Sequence, residues 1–313
     1  MSIEKLKPYL PWITLAVLVG LVGAINPSFL NPASLVQLVA DIVPLFVMAL
    51  GMTFAIYIGG IDLSMQQVAN LVTVVATVYL MQFGVFVALL CVGTGFVIGA
   101  VSGWVTTRQF VPSFVSTLAT GFIALSGARF LSGERALSMN AEARDATFGW
   151  MFESTAGIPN ELLIAAVLLA FAWFLQNRTT FGRALKAVGA GELAAVASGL
   201  KVDRIKILAF ALSGAFAAFA GLMFSVKLSG GDANLANGFL ILAIVAVLVG
   251  GTPLTGGVGG VVNTLVGTLI VVVIRTAMVY LEIDATMQQM VFGLILIAAI
   301  GMSIDRSKMR IVK

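Results

Sequence analysis

The sequence contains no histidine and a single cysteine, and only a tenth of its 313 residues are charged. Each scarcity closes off a class of chemistry. Without histidine the chain lacks the commonest general base and proton relay, and neither a Ser-His pair nor a metal-ligand cluster can be assembled. One thiol, Cys91, cannot make an internal disulfide. No G-x-x-x-x-G-K-[ST] phosphate loop occurs, so an ATP-driven process would need its ATPase on another polypeptide. The expectation is a non-enzyme with no metal and no cofactor. Charge is well below the quarter usual in soluble domains, while 60% of residues are hydrophobic. A soluble domain of this length could not hide so much apolar surface, so much of it faces lipid.

What is present is a succession of long uncharged windows, the signature of membrane-spanning helices. Ten apolar segments run near 10–26, 36–58, 65–82, 84–104, 111–131, 160–176, 207–226, 239–250, 260–280 and 287–303. The first follows Lys5 and Lys7 and carries VGA at 22–24, which resembles a secretory signal with a cleavage site. Its length and the many spans behind it favour an uncleaved first helix. Ten spans place both termini on one face. With that face cytoplasmic, thirteen Lys and Arg residues lie in inner segments and four in outer loops, with Arg275 inside a span. This is the positive-inside bias, and it accounts for the net charge of +4 without a nucleic-acid partner. The predicted fold is all-α and polytopic, about ten transmembrane helices with glycine-rich turns and both termini cytoplasmic. The external loop 132–159 and the cytoplasmic loop 177–206 are too small to be domains, so residues 1–313 read as one transmembrane unit.

Two turns resemble each other. In GGIDLS, Gly59 and Gly60 precede Asp62 and Ser64; in GGTPLT, Gly250 and Gly251 precede Thr255. Paired glycines can end one helix at positive φ, and Ser64 or Thr255 can cap the next. Ser64 with Gln67 reads as a capping box, and IDLSMQQ (61–67) recurs as IDATMQQ (283–289), where Thr286 and Gln289 repeat it. The topology places these two stretches on opposite faces, and Asp62 at the inner edge as a structural residue. Gly95, Gly99 and Gly103 form a double G-x-x-x-G that lets a neighbouring helix approach closely. The run GGTPLTGGVGG (250–260) is too glycine-rich for a lipid-facing helix and predicts a tight turn or an unwound segment shielded by protein.

Residues 181–206, FGRALKAVGAGELAAVASGLKVDRIK, form a polar island with seven charges and four glycines. Leu193, Val196, Ala197 and Leu200 share one side of a short helix, with Ala194, Ala195 and Ser198 on the other. Gly191 precedes it, Glu192 lies in its first turn, and Gly199 offers a left-handed stop, giving roughly eight residues or 12 Å. Its side chains are too small, and its basic residues too far to the flanks, for a membrane-surface helix. Docking into a protein groove and an internal connector both remain open on the pattern.

The island followed by ILAFALSGAFAAFAGLMF resembles the inner loop and next helix of permeases from ribose-type ABC importers. So do ALGMTFAIYIGGIDLS (49–64), VPSFVSTLAT (111–120), VLVGGTPLTGGVGG (247–260) and QQMVFGLILI (288–297), in the same order along most of the chain. That family lies within a wider one that includes branched-chain amino acid permeases. The resemblance implies a permease subunit of the bacterial inner membrane. Its partners would be ABC ATPase subunits, a second permease, identical or homologous, and an external or periplasmic substrate-binding protein. It also implies that residues 190–200 contain the coupling helix seated in the ATPase. The chain departs from the family at Met65-Gln66-Gln67, where Val-Gly-Ser is usual, at Leu240-Ile241-Leu242, where an acidic segment is usual, and at Asn263, where glycine is usual.

A neutral sugar or polyol needs hydroxyl and amide partners along its route. Asn70, Thr117, Asn263, Gln288 and Gln289 are the leading candidates, with Thr53, Thr120, Thr264 and Thr268 expected more often to bond their own helices. Arg275 either faces the route or snorkels to the external headgroups. The rival readings are an ion-coupled carrier, which needs intramembrane acids where Asp41 and Asp62 lie only at span edges, and a channel. The one Asn-Pro-Ala, in INPSFLNPASL (25–35), lacks the second copy that water channels carry and reads as a proline turn.

Overall fold

The computed structural model describes residues 9–303; Lys5, Lys7 and the C-terminal basic residues counted above lie outside them. The proline turn starts two helices in succession. Asn26 Oδ1 accepts from Ser28 N–H at 3.1 Å and Asn31 Oδ1 from Ala33 N–H at 3.0 Å, each just ahead of a proline. Asn-Pro-Ala is therefore a helix cap. Helix α1 (Leu10–Ile25) ends before it and α2 (Pro32–Asp41) begins after it. Val22 of α1 and Phe29 pack with Val273, and the Phe29 ring meets Tyr280 edge-on at 6.4 Å, so α1 is part of the packed fold.

The segment expected over 36–58 is broken. Helix α2 gives way at Ile42 to α3 (Val43–Tyr57) with a 52° bend. Pro44 is the cause: it lacks an N–H and its ring clashes with the carbonyl four residues back. The next two helices, α4 (Met65–Phe83) and α5 (Val87–Arg108), fold back on each other at Gly84. Cys91 Sγ lies 4.0 Å from the Val72 carbonyl oxygen. On one straight helix, residues nineteen apart would be about 28 Å apart.

The remaining helices are α6 (Ser113–Ser132), α7 (Ala141–Phe148), α8 (Asn160–Arg178), α9 (Thr180–Ala190), α10 (Glu192–Ala197), α11 (Val202–Leu228), α12 (Phe239–Val249), α13 (Val261–Tyr280) and α14 (Ala285–Ser303). Two-residue strands add little: β1 (Leu137–Ser138) pairs antiparallel with β4 (Gly230–Gly231), and β2 (Ser154–Thr155) with β3 (Ile158–Pro159). Among the described residues, five helical stretches are long and apolar enough to cross a membrane, six with the bent α2–α3 pair counted as one; α1, α12 and α14 are shorter and apolar. The protein is all-α and multi-pass.

Helix α11 is the axis of the bundle, packed on α3, α4 and α5. The glycine spacing of α5 works as expected. Gly95 faces Gly214 and Ala218, Gly99 faces Phe210 and Ala211, and Gly103 faces Ile207, all on α11. A side chain at Gly99 would run into the Phe210 carbonyl, so the two backbones touch only because glycine stands there.

The turn chemistry differs from the sequence expectation. Ser64 precedes α4 but makes no side-chain cap, and Gln67 Oε1 is buried without a partner. Asp62 does the work instead: its Oδ1 accepts from Ser64 N–H (2.9 Å) and Ser64 Oγ (2.6 Å), and its Oδ2 accepts from Ser213 Oγ (2.6 Å). Ser213 lies near the middle of the 27-residue α11, and Asp62 is fully buried, so Asp62 is a structural residue inside the bundle. At the second copy of the motif Asp284 Oδ1 accepts from Thr286 N–H at 2.8 Å, the same Asp-to-i+2 turn. Gln66 and Gln289 of the two copies approach the same glycine. Gln66 Oε1 accepts from Gly238 N–H at 3.0 Å, and a Cβ on Gly238 would stand 3.4 Å from Gln289 Nε2.

In the second glycine turn Thr255 is exposed, and buried Thr252 takes its place, its Oγ1 accepting from Gly260 N–H at 2.9 Å. Gly59 (φ 75°) and Gly251 (φ 100°) adopt the left-handed conformation expected of them. Gly60 and Gly250 are needed for space: Cβ atoms there would meet the Phe210 ring and the Asn263 carbonyl. The run 250–260 is unwound and only partly shielded: Gly251, Thr255 and Val258 are exposed, while Gly257 N–H donates to the Tyr57 carbonyl at 2.8 Å.

Candidate functional site

Three of the leading sequence candidates come together. Arg275 of α13 and Gln288 and Gln289 of α14 line one cavity of about 160 Å³ with Asn237, Phe239 and Phe292. Helix α12 makes this possible. Its eleven residues cover about 16 Å, so the chain before it must reach well into the bundle to start it. That preceding segment, 232–238, is held by α4. Asn70 Oδ1 accepts from Ala236 N–H at 2.7 Å, its Nδ2 donates to Asn237 Oδ1 at 3.1 Å, and Gln66 Nε2 donates to the same oxygen at 3.0 Å. Thr73 Oγ1 adds bonds to the backbone of Asp232 at 3.1 Å.

Asn70 is therefore buried and fully engaged as a strap behind the cavity, reaching it only through Asn237. Gln288 Nε2 donates to the Ile283 carbonyl at 3.0 Å, which holds its amide at the mouth of α14. Arg275 has no hydrogen-bond or ion-pair partner among the described residues, and no acid lines the cavity. The walls thus offer neutral amides, one unpaired guanidinium and two phenyl rings.

The other candidates lie elsewhere. Thr117 Oγ1 accepts from Leu63 N–H at 3.0 Å and donates to the Ser113 carbonyl at 2.8 Å, fixing the α3–α4 turn on α6. Asn263 Nδ2 donates to the Gly250 carbonyl at 3.0 Å and closes the second glycine turn. Thr53 and Thr264 bond each other at 2.6 Å, Thr268 bonds the Thr264 carbonyl, and Thr120 bonds Ser102 at 2.7 Å, all within helix packing. Sequence reasoning missed Asn237, Phe239 and Phe292, whereas Gln66 belongs to the first of the two Gln–Gln pairs that stand out in the apolar segments. The available signal was the polar run GGDANLANG (230–238) ahead of a segment too short to span.

At the opposite end of α11 stands the short helix of the polar island. It is six residues, shorter than the eight expected, because Gly191 ends α9 on one side and Gly199, at φ 79°, stops it on the other. Ala195 points inward and is buried, and Lys206 Nζ ties the helix to the start of α11 through Glu192 at 2.6 Å. Leu193 is 88% exposed and Val196 56%. Ala194, Ala197 and Ser198 are exposed beside them. Next to α10 lies a polar cavity of about 370 Å³ bordered by Gly59, Gly60, Thr106, Thr107, Glu192, Asp203 and Lys206.

Residues 34–300 match the model of the branched-chain amino acid transport system / permease component family. The chain belongs to that family. It is similar to the ribose import permease of Haemophilus influenzae, 31% identical over 294 residues that cover 92% of this chain and 90% of the relative. The ribose import permease of Bacillus subtilis is also 31% identical, over 97% of this chain and 94% of its own. The xylose transport system permease of Escherichia coli is 28% identical, over 92% and 89% respectively. No solved structure matches. The family resemblance read from the motifs is thereby established, and the chain is a permease that spans the membrane many times.

Proposed function

We propose that this chain is the membrane-spanning subunit of an ATP-driven importer, passing a monosaccharide or related polyol handed over by a binding protein. The carrying observation is the cavity that gathers Arg275, Asn237, Gln288 and Gln289 with Phe239 and Phe292. Hydroxyl groups are met by amides and a guanidinium, and the apolar faces of a sugar ring by phenyl rings. Relatives named for ribose and xylose import support the same substrate class.

Arg275, Asn237 and Gln289 are exposed on a membrane-spanning chain, and a guanidinium in hydrocarbon is costly. Water or a second permease covers this face, so the cavity is one wall of a passage shared by two permeases, identical or homologous. Ten passes with both termini in the cytoplasm put α10 on the cytoplasmic side of the bacterial inner membrane, and the external loop 132–159 outside. There α10 presents Leu193 and Val196 to a separate ATPase as the coupling helix. The ten-pass count treats α1, α12 and α14 as spans with α2–α3 as one, and takes α4 and α5 as two because they fold back at Gly84.

Reconstitution tests the reading. Alone in liposomes the permease should neither hydrolyse ATP nor accumulate sugar. With its ATPase and binding protein, sugar should stimulate hydrolysis and uptake. Gradient-driven accumulation by this chain alone would replace the importer with a secondary carrier.

A further inference from the structure

The short loop joining α5 to α6 carries a feature that helix packing does not explain. Helix α5 ends at Arg108 with Gln109 as its cap, and Phe110 follows in the left-handed conformation at φ 55°. Glycine is the usual residue just past a helix end because it alone takes positive φ without a Cβ penalty. A phenylalanine there carries some backbone strain, as do Glu134, Ser229 and Glu282 just past other helix ends. The strain does not bury the ring: Phe110 is 89% exposed.

Its surroundings are aqueous in character. Phe110 borders the same polar cavity as Glu192, Asp203 and Lys206, and the neighbouring Arg108 pairs with Asp203 at 3.4 Å with both side chains about half exposed. Glu192, which opens α10, borders that cavity as well, and Leu193 and Val196 of the same helix are exposed. One polar cavity therefore joins the Phe110 loop to the start of α10. Bulky apolar groups around such a cavity mark a protein interface.

We propose that Phe110 is a second anchor for the ATPase, gripped together with α10, so that the permease offers a two-point docking surface. This rests on the reading of α10 as the coupling helix and adds a residue on a different loop. Two points tie the ends of α5 and α11 to one partner, so a movement of the ATPase would be felt on both helices of the glycine-packed pair.

The test uses the full importer in nanodiscs, with affinity for the ATPase as the readout. Phe110→Gly removes the ring at a position where glycine is conformationally at ease, so the fold is not at risk. It is expected to weaken ATPase binding tenfold or more and lower sugar-stimulated hydrolysis, while Phe110→Tyr stays within twofold of the parent. A photo-crosslinking Phe110→p-benzoyl-phenylalanine variant should label the ATPase. Leu193→Asp serves as the arm for the underlying reading. If it disrupts binding while Phe110→Gly binds normally, α10 docks without Phe110 and the second anchor is wrong. If both bind normally, the coupling assignment fails with it. Crosslinks only to lipid, or only to a second permease, also overturn the proposal.

Discussion

Ser213 Oγ donates a 2.6 Å hydrogen bond to Asp62 Oδ2 across 151 residues of sequence, in the buried middle of the bundle. Together with the two bonds from Ser64, it pins the broken α3–α4 turn to α11. Asp62→Ala leaves two hydroxyls and one N–H buried without an acceptor, and should cost about 3 kcal/mol or more. Asp62→Asn keeps an acceptor for Ser64, and the Ser213 hydroxyl can turn to accept from the amide, so about 1 kcal/mol is expected. Thermal unfolding of the purified variants in one detergent should rank them in that order; equal losses would mean that the turn is held by packing alone.

The α5–α11 contact makes an opposed pair of predictions. Gly99→Ala drives a methyl into the Phe210 carbonyl and should destabilise by about 1–3 kcal/mol. Gly93→Ala, on the same helix with nothing within 4 Å, should be neutral or stabilise by about 0.5–1 kcal/mol. The same unfolding measurement checks both. A tolerated Gly99→Ala would show that the helices can separate without loss.

These two contacts mark the boundary of what the sequence disclosed. The apolar windows and the glycine spacing of α5 were legible because they are local and periodic, and lipid exposure makes the windows long. The proline turn after the first span was legible for the same reason, though not the Asn caps that start its helices. The choice of Asp62 over Ser64 as the working group of its turn was not, because Ser213 decides it from α11. Thr252 displaced Thr255 in a similar way, since the cap has to reach Gly260 over an unwound glycine run. In the cavity, Arg275, Gln288 and Gln289 stood out as polar groups in apolar segments. Asn237 did not, because it looked like loop until the shortness of α12 drew it inward.

Asp284 should make the first turn of α14 sensitive to acid. Its carboxyl is held below the ordinary value of 3.8 by hydrogen bonds from the backbone and side chain of Thr286. A depressed folded-state pKa gives support that is complete above 3.8 and is lost as pH falls through the lower folded value. Hydrogen exchange of amides 285–289 should therefore be unchanged between pH 7 and 5, after correction for intrinsic rates, and lose protection only as the pH falls below 3.8. Asp284→Ala should show the weakened turn already at pH 7.

The cavity separates transport residues from structural ones. Arg275→Ala removes charged donors from the passage and should lower sugar uptake by the full importer by about tenfold to a hundredfold with assembly intact. Arg275→Lys should fall between, because an ammonium cannot reproduce the planar fork. Asn263→Ala instead frees the Gly250 carbonyl, so its effect should appear in melting temperature ahead of uptake per assembled complex. Normal uptake in Arg275→Ala would remove this cavity from the route.

Adjacent residues of α10 should behave in opposite ways, because the helix has one face against the protein and one face free. Leu193 projects outward and Ala195 is buried. Leu193→Asp should leave insertion and melting temperature unchanged while abolishing ATPase association. Ala194→Arg and Ala197→Glu, also on exposed positions, should do the same. Ala195→Leu overfills the contact beneath the helix and should lower stability by about 1–3 kcal/mol, with docking lost only as the helix is displaced. Glu192→Gln weakens the tie to Lys206, a partly exposed pair worth at most about 1 kcal/mol, and should leave the helix in place. Measuring melting temperature and ATPase affinity on the same five variants separates the two faces. Should the outward substitutions destabilise the permease and leave the ATPase bound, α10 is an internal connector whose exposed side chains have no partner to meet.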